Sequence, residues 1–111
     1  VVVGPCASGK TTLVERLRAL GYDARVSGQE HSAVRDLWRR TGPDVVIALD
    51  VDLATIRRRR SPEWSEQIYR AQRQRLERAF AAADLMIDTG EHDEDAVVAL
   101  VTAWLAGPHH A

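Results

Sequence analysis

The run Gly4-Pro5-Cys6-Ala7-Ser8-Gly9-Lys10-Thr11 fits the pattern G-x-x-x-x-G-K-[ST] without a mismatch. The pattern constrains the fold because it works only where a buried strand ends and a helix begins. The flanking residues supply both. Val1-Val2-Val3 is a β-branched run that stops at a glycine, as a buried parallel strand does. After Thr11, Leu13, Val14, Leu17 and Leu20 recur at helical spacing, and Gly21 stands where a helix C-terminus favours a left-handed residue. The chain therefore opens as strand, loop, helix.

The chemistry of such a loop is anion binding. Its glycines let backbone N–H groups approach an anion closely, and the following helix adds the positive end of its dipole. Lys10, the one lysine in the sequence, is placed to reach the β- and γ-phosphates of a nucleoside triphosphate, and the Thr11 hydroxyl to help hold Mg²⁺. The expected nucleotide contacts are Gly4, Ala7, Ser8, Gly9, Lys10, Thr11 and Thr12.

The rest of the chain repeats the alternation. A weak second strand is expected within residues 22–27, where Ala24 and Val26 are apolar, followed by a loop and a helix capped by Ser32 that carries Val34, Leu37 and Trp38 and stops near Thr41-Gly42-Pro43. Val45-Val46-Ile47-Ala48-Leu49, bounded by Asp44 and Asp50, reads as a central strand covered on both faces. A helix from Asp52 or Thr55 runs into Arg57-Arg58-Arg59-Arg60. Another is expected to start at Ser61-Pro62, with Trp64, Ile68, Ala71, Leu76, Ala79, Phe80 and Ala83 as its apolar face. Leu85-Met86-Ile87 reads as the last strand, and Asp93 opens a helix whose face is Val97, Leu100, Val101 and Trp104. This is an α/β fold: one domain over residues 1–111, with a three-layer parallel sheet of about four strands and helices on both faces.

Composition narrows the setting. With 111 residues there is one core to bury, and a net charge of −1 gives no field directed at nucleic acid or membrane. The single cysteine forms no intrachain disulfide, and no apolar run approaches the length of a membrane span. A cytoplasmic protein is the expectation.

On the residues 4–11, the sequence resembles the P-loop nucleoside triphosphate hydrolase superfamily, and within it the small nucleoside and nucleotide kinases. The segment from Pro43 to Asp52, followed by Ile56-Arg57 and further arginines, is similar to the fourth strand and lid approach of thymidylate kinase and dephospho-coenzyme A kinase. Ala83-Asp84-Leu85-Met86-Ile87-Asp88-Thr89 resembles their last strand. The chain is shorter by one strand-helix unit between the loop and the Asp44 strand, and the family's order with that unit removed implies that the Val1 strand lies between the segment around Val26 and the Val45 strand, with the Leu85 strand at the far edge. The resemblance implies ATP and Mg²⁺ as cofactors and phosphoryl transfer to a small-molecule acceptor.

Phosphoryl transfer depends on positioning and charge neutralisation, which calls for an acid near the metal and arginines around the phosphoryl group. Glu30-His31-Ser32 resembles the Asp/Glu-Arg-Ser motif of deoxynucleoside and thymidylate kinases, with His31 where the family has arginine. By that likeness Glu30 is the base, or an acid acting on the magnesium's outer ligands; read alone, the three residues equally describe a solvated loop. Asp50 and Asp52 end a buried strand at the carboxyl edge where ligands of open α/β sheets lie, and Asp50 is a candidate magnesium ligand while Asp52 serves equally as a helix cap. Arg57 to Arg60, with Arg70 and Arg73, resemble lid arginines that close over phosphates; a solvated face paired with Glu63, Glu66 and Glu77 is the plainer account. Lys10, Glu30, Arg57 and Arg60 are thus the catalytic candidates, and Thr11 and Asp50 the metal ligands. Thr89-Gly90-Glu91 lies where those kinases contact adenine. Two other classes compete. A GTPase-type switch reads guanine with Asn-Lys-x-Asp, which a chain without asparagine cannot supply. A nucleotide-binding module without chemistry, or a slow ATPase serving a partner protein, fits the short acceptor region.

Overall fold

The structure is a computed structural model that describes residues 1–107, so residues 108–111 of the expected domain lie outside the described residues. Its elements in chain order are β1 (Val2–Val3), α1 (Lys10–Ala19), two 3₁₀ turns (Gln29–His31 and Leu37–Thr41), β2 (Ile47–Asp50), α2 (Leu53–Arg59), α3 (Glu66–Ala81), β3 (Leu85–Asp88) and α4 (Glu94–Leu105). The three strands form one parallel sheet in the order β1-β2-β3. It is an α/β fold.

Side-chain alternation along the strands decides which helix covers which face. Val2, Ile47, Leu49 and Ile87 point to one side, where they meet Leu13, Val14 and Leu17 of α1 and Val97, Val98 and Val101 of α4. Val3, Val46 and Ala48 point to the other, against Leu76 and Ala79 of α3 and Trp38. β2 is therefore the central strand, and its first three residues are buried. Among the described residues, no helix is long and apolar enough to cross a membrane.

The expected fourth strand is reduced to a single parallel bridge between Val26 and Val2, held by Val2 N–H to Arg25 O at 2.8 Å and Ser27 N–H to Val2 O at 3.0 Å. Its place beside β1 is the expected one. A ladder cannot extend because β1 offers two residues before Gly4, and Val26 is itself exposed.

Three helix expectations are corrected. Residues 32–41 form no α-helix: Ser32 Oγ accepts from the N–H of Val34 in a tight turn, Val34 stays exposed, and Gly42 at φ 61° ends the short 3₁₀ turn. Ser, Thr and Asp side chains that bond local backbone compete with helix in this way. The long helix starts at Glu66 rather than Ser61. Ser65 caps it by accepting from Ile68 N–H at 3.2 Å, while Ser61 Oγ accepts from Glu63 N–H and closes a turn instead. Ile68 is exposed, and Gln72 takes a buried position on the inner face of α3. In α4 it is Val98, not Leu100, that enters the core.

The ends of α1 and α2 follow the sequence closely. Gly21, at φ 96°, closes α1, with Tyr22 N–H bonding Leu17 O and Gly21 N–H bonding Arg18 O. Asp52 caps α2, accepting from Thr55 N–H at 2.7 Å. Hydrogen bonding to the Thr55 side chain, and then to its N–H, holds the Asp52 carboxyl below its ordinary pKa of 3.8.

Candidate nucleotide and metal site

The loop between β1 and α1 departs from the sheet at its carboxyl edge. Gly4 is required there by space: a Cβ would lie 2.5 Å from Leu49 O and 2.6 Å from Ser8 Oγ. Gly9 is required by conformation, since it initiates α1 at φ 92°. Ala7 also adopts positive φ, 63°, which is costly for a residue with a Cβ. Two close glycine constraints and one strained alanine bend residues 4–11 around a concave space. Among the described residues, the N–H groups of Ala7, Gly9, Lys10, Thr11 and Thr12 have no backbone acceptor, as expected at a helix start.

Lys10 does not project into solvent. It is 9% exposed and its ammonium donates to Gly4 O at 2.6 Å, Pro5 O at 3.1 Å and Glu30 Oε2 at 2.5 Å. Glu30 sits in the first 3₁₀ turn, 3% exposed, and its other oxygen, Oε1, is buried without a hydrogen-bond partner, as is Ser8 Oγ. Buried polar atoms without partners are uncommon, and two beside one loop mark a place built to receive a polar group.

α3 supports this arrangement from below. The Gln72 side chain accepts from Cys6 N–H at 3.0 Å and donates to Cys6 Sγ at 3.3 Å, and Arg75 donates to Glu30 O at 3.2 Å. From α2, Arg59 donates to Ala7 O at 2.8 Å and to Thr89 O at 2.6 Å, so it ties the loop to the end of β3.

Residues 6–12, Glu30, Arg59 and Thr89 line a cleft of about 730 Å³ that also takes in Arg60, His31, His92 and Val97. Its size falls among small-molecule sites, about 300–1,000 Å³. Of the expected residues, Ala7, Ser8, Gly9, Lys10, Thr11, Thr12, Glu30 and Arg60 line it, and Gly4 shapes it from beneath.

The structure does not bring Arg57 or Asp50 to the cleft. Arg57 turns back to donate to Trp64 O at 3.1 Å. Asp50 accepts from Arg73 and from Val51 N–H. Burial works against the charge on Arg73, but the hydrogen bond from its guanidinium to Asp50 and the attraction between them leave its pKa raised. Arg70 pairs with Glu66 on the surface. Gln72 and Arg75 were not singled out by the sequence, and Arg59 only as one of the run Arg57 to Arg60. Residues 57 and 59 point about 200° apart on a helix, so one of them faces the cleft only if the other does not, and a run of four arginines hides the phase.

A scan against protein-family models, a search of curated proteins and a search of solved structures each found no match to this chain.

Proposed function

We propose that the chain is a P-loop protein that binds Mg·ATP in this cleft and transfers its terminal phosphoryl group to a small-molecule acceptor. The observation that carries the reading is the conjunction in residues 4–12 of unpaired amides, glycines required by space and by φ, and a buried lysine held against a buried acid. The amides of Ala7 and Gly9 to Thr12 suit a di- or triphosphate, and the α1 dipole adds to them. The Ser8 hydroxyl, buried without a partner, is a donor available to an anion seated on the loop.

In the free protein Lys10 neutralises Glu30. On nucleotide binding Lys10 turns from the Gly4 and Pro5 carbonyls to the β- and γ-phosphates, which leaves Glu30 as a carboxylate able to take the proton of an acceptor hydroxyl. Arg59 and Arg60 stand at the cleft wall as the cations for the migrating charge. Thr11 is the residue of the loop with a hydroxyl suited to Mg²⁺, which would supply charge neutralisation at the phosphate oxygens. A nucleotide-binding module or slow ATPase serving a partner is the second reading. The reduction of the Val26 segment to one bridge and of residues 32–41 to turns favours it, because little structure is left to hold an acceptor.

The test is to incubate wild type, Glu30→Gln and Arg59→Ala with Mg·ATP and a panel of nucleosides, nucleotides and small alcohols, and to follow ADP. The kinase reading expects acceptor-stimulated ADP in the wild type alone. Basal ADP release that no acceptor stimulates, at equal rates in all three proteins, would leave the binding module standing.

A further inference from the structure

The nucleotide reading leaves the Cys6 thiol and the His31 imidazole without a role, yet the fold places them together. Cys6 is the one cysteine of the chain and is partly buried, with Sγ 3.6 Å from His31 Nε2. Glu30 Oε2 lies 3.8 Å from the same nitrogen. One donor atom from each of the three residues falls within 4.8 Å of the others. Glu30 Oε2 accepts from Lys10 and, with a second lone pair, can still bind a metal.

We propose that Cys6, Glu30 and His31 form a three-ligand site for Zn²⁺ at the edge of the cleft. Tetrahedral bonds of about 2.3 Å to sulfur and about 2.0 Å to nitrogen put those two donor atoms about 3.5 Å apart, and the pair here is already at that spacing. A thiolate and an imidazole are soft and borderline donors, which suit zinc and disfavour the hard, oxygen-seeking Mg²⁺ of the nucleotide. Thiolate and carboxylate together balance the charge of the ion, with Lys10 bonded to the carboxylate and Arg75 to the Glu30 backbone carbonyl. The Gln72 amide, buried on α3, donates to Cys6 Sγ and holds it in place, as outer hydrogen bonds do for metal ligands. Binding exchanges the thiol proton for the metal: Cys6–SH and Zn²⁺ give Cys6–S–Zn and one H⁺ released to solvent. All three residues line the cleft, so the remaining coordination position faces water there.

The experiment is a titration of the nucleotide-free chain with Co²⁺ and then Zn²⁺, read by absorbance and calorimetry. A thiolate-to-cobalt band in the near ultraviolet reports Cys6 alone, because no other cysteine exists; His92, His109 and His110 cannot produce it. The proposal expects the band to saturate at one Co²⁺ per chain, to vanish when Zn²⁺ displaces cobalt, and to be absent in Cys6→Ser. His31→Ala, a change at an exposed side chain whose folding is checked by circular dichroism, should lower Zn²⁺ affinity by about tenfold or more. No thiolate band in the wild type overturns the proposal, as does Zn²⁺ affinity unchanged in both variants. No nucleotide enters the titration, so either outcome leaves the phosphoryl-transfer reading to be judged separately.

Discussion

Lys10 and Glu30 form an ion pair at 2.5 Å in which both side chains are at least nine-tenths buried, and the two halves are not equally supported. Substituting Glu30→Gln leaves the ammonium with two carbonyl acceptors, Gly4 O and Pro5 O, and an amide oxygen in place of the carboxylate. Substituting Lys10→Met leaves a carboxylate whose Oε1 already lacks a partner and whose Oε2 has lost its principal one. Breaking a buried pair costs about 3–5 kcal/mol, so Glu30→Gln belongs near the low end and Lys10→Met near the high end. The double variant removes both charges and should cost less than Lys10→Met alone, so the two changes depart from additivity by about 3 kcal/mol or more. Urea denaturation measures it. With a slope of about 1.5 kcal/mol per molar, a loss of 3 kcal/mol lowers the midpoint by about 2 M at unchanged slope. Costs that add to within about 0.5 kcal/mol would refute the claim of a coupled buried pair, because that is what independent sites give. Equal costs for the two single variants would refute the asymmetry.

Other consequences are as direct. Gly4→Ala should destabilise by about 1–3 kcal/mol through overpacking against the Leu49 carbonyl, whereas Gly9→Ala, with open space around it, should cost about 1–2 kcal/mol from left-handed strain alone; chemical denaturation of each checks this. Asp52→Ala should lose about 1 kcal/mol with the α2 cap, and Asp52→Asn should keep most of that capping. Because the folded pKa of Asp52 is depressed, its extra stabilisation is present above the ordinary value of 3.8 and disappears as pH falls through the folded value. Asp52→Asn should therefore flatten the acid limb of a stability-pH profile, and an unchanged limb would contradict it. Arg59→Ala should weaken nucleotide binding through the loosened Ala7 and Thr89 carbonyls as well as through lost charge, so Arg59→Lys should rescue only part of the affinity in a nucleotide titration.

The sheet was legible in the sequence because its signals are local: a short apolar run ending at Gly4, another bounded by Asp44 and Asp50, and a third ending at Asp88. Strand order is not local, and it followed from the kinase resemblance with one strand-helix unit removed. The segment 32–41 was not legible, since Val34, Leu37 and Trp38 keep helical spacing while Ser32 and Gly42 bend the backbone into turns. Nothing local distinguishes Ser61 from Ser65 as the cap of α3, as each accepts from a nearby N–H, and Trp64 sits in either frame. Within the cleft, the loop residues were readable because each is fixed by its own backbone. Gln72 and Arg75 were not, because their role depends on α3 packing beneath residues 6 and 30, far away in sequence. Arg57 and Asp50 are the same failure in reverse. Each has a chemically suitable group whose tertiary partner, Trp64 O or Arg73, claims it.

The central claim is that residues 4–12 grip a nucleoside triphosphate, and a ¹H–¹⁵N titration of the folded chain with Mg·ATP tests it most directly. The account predicts saturable one-to-one binding in which the amides of Ala7 and Gly9 to Thr12 shift most, reversal when the nucleotide is dialysed away, and loss of these shifts in a Lys10→Met protein that remains folded by circular dichroism. Unsaturable shifts, or shifts centred away from residues 4–12, would contradict it.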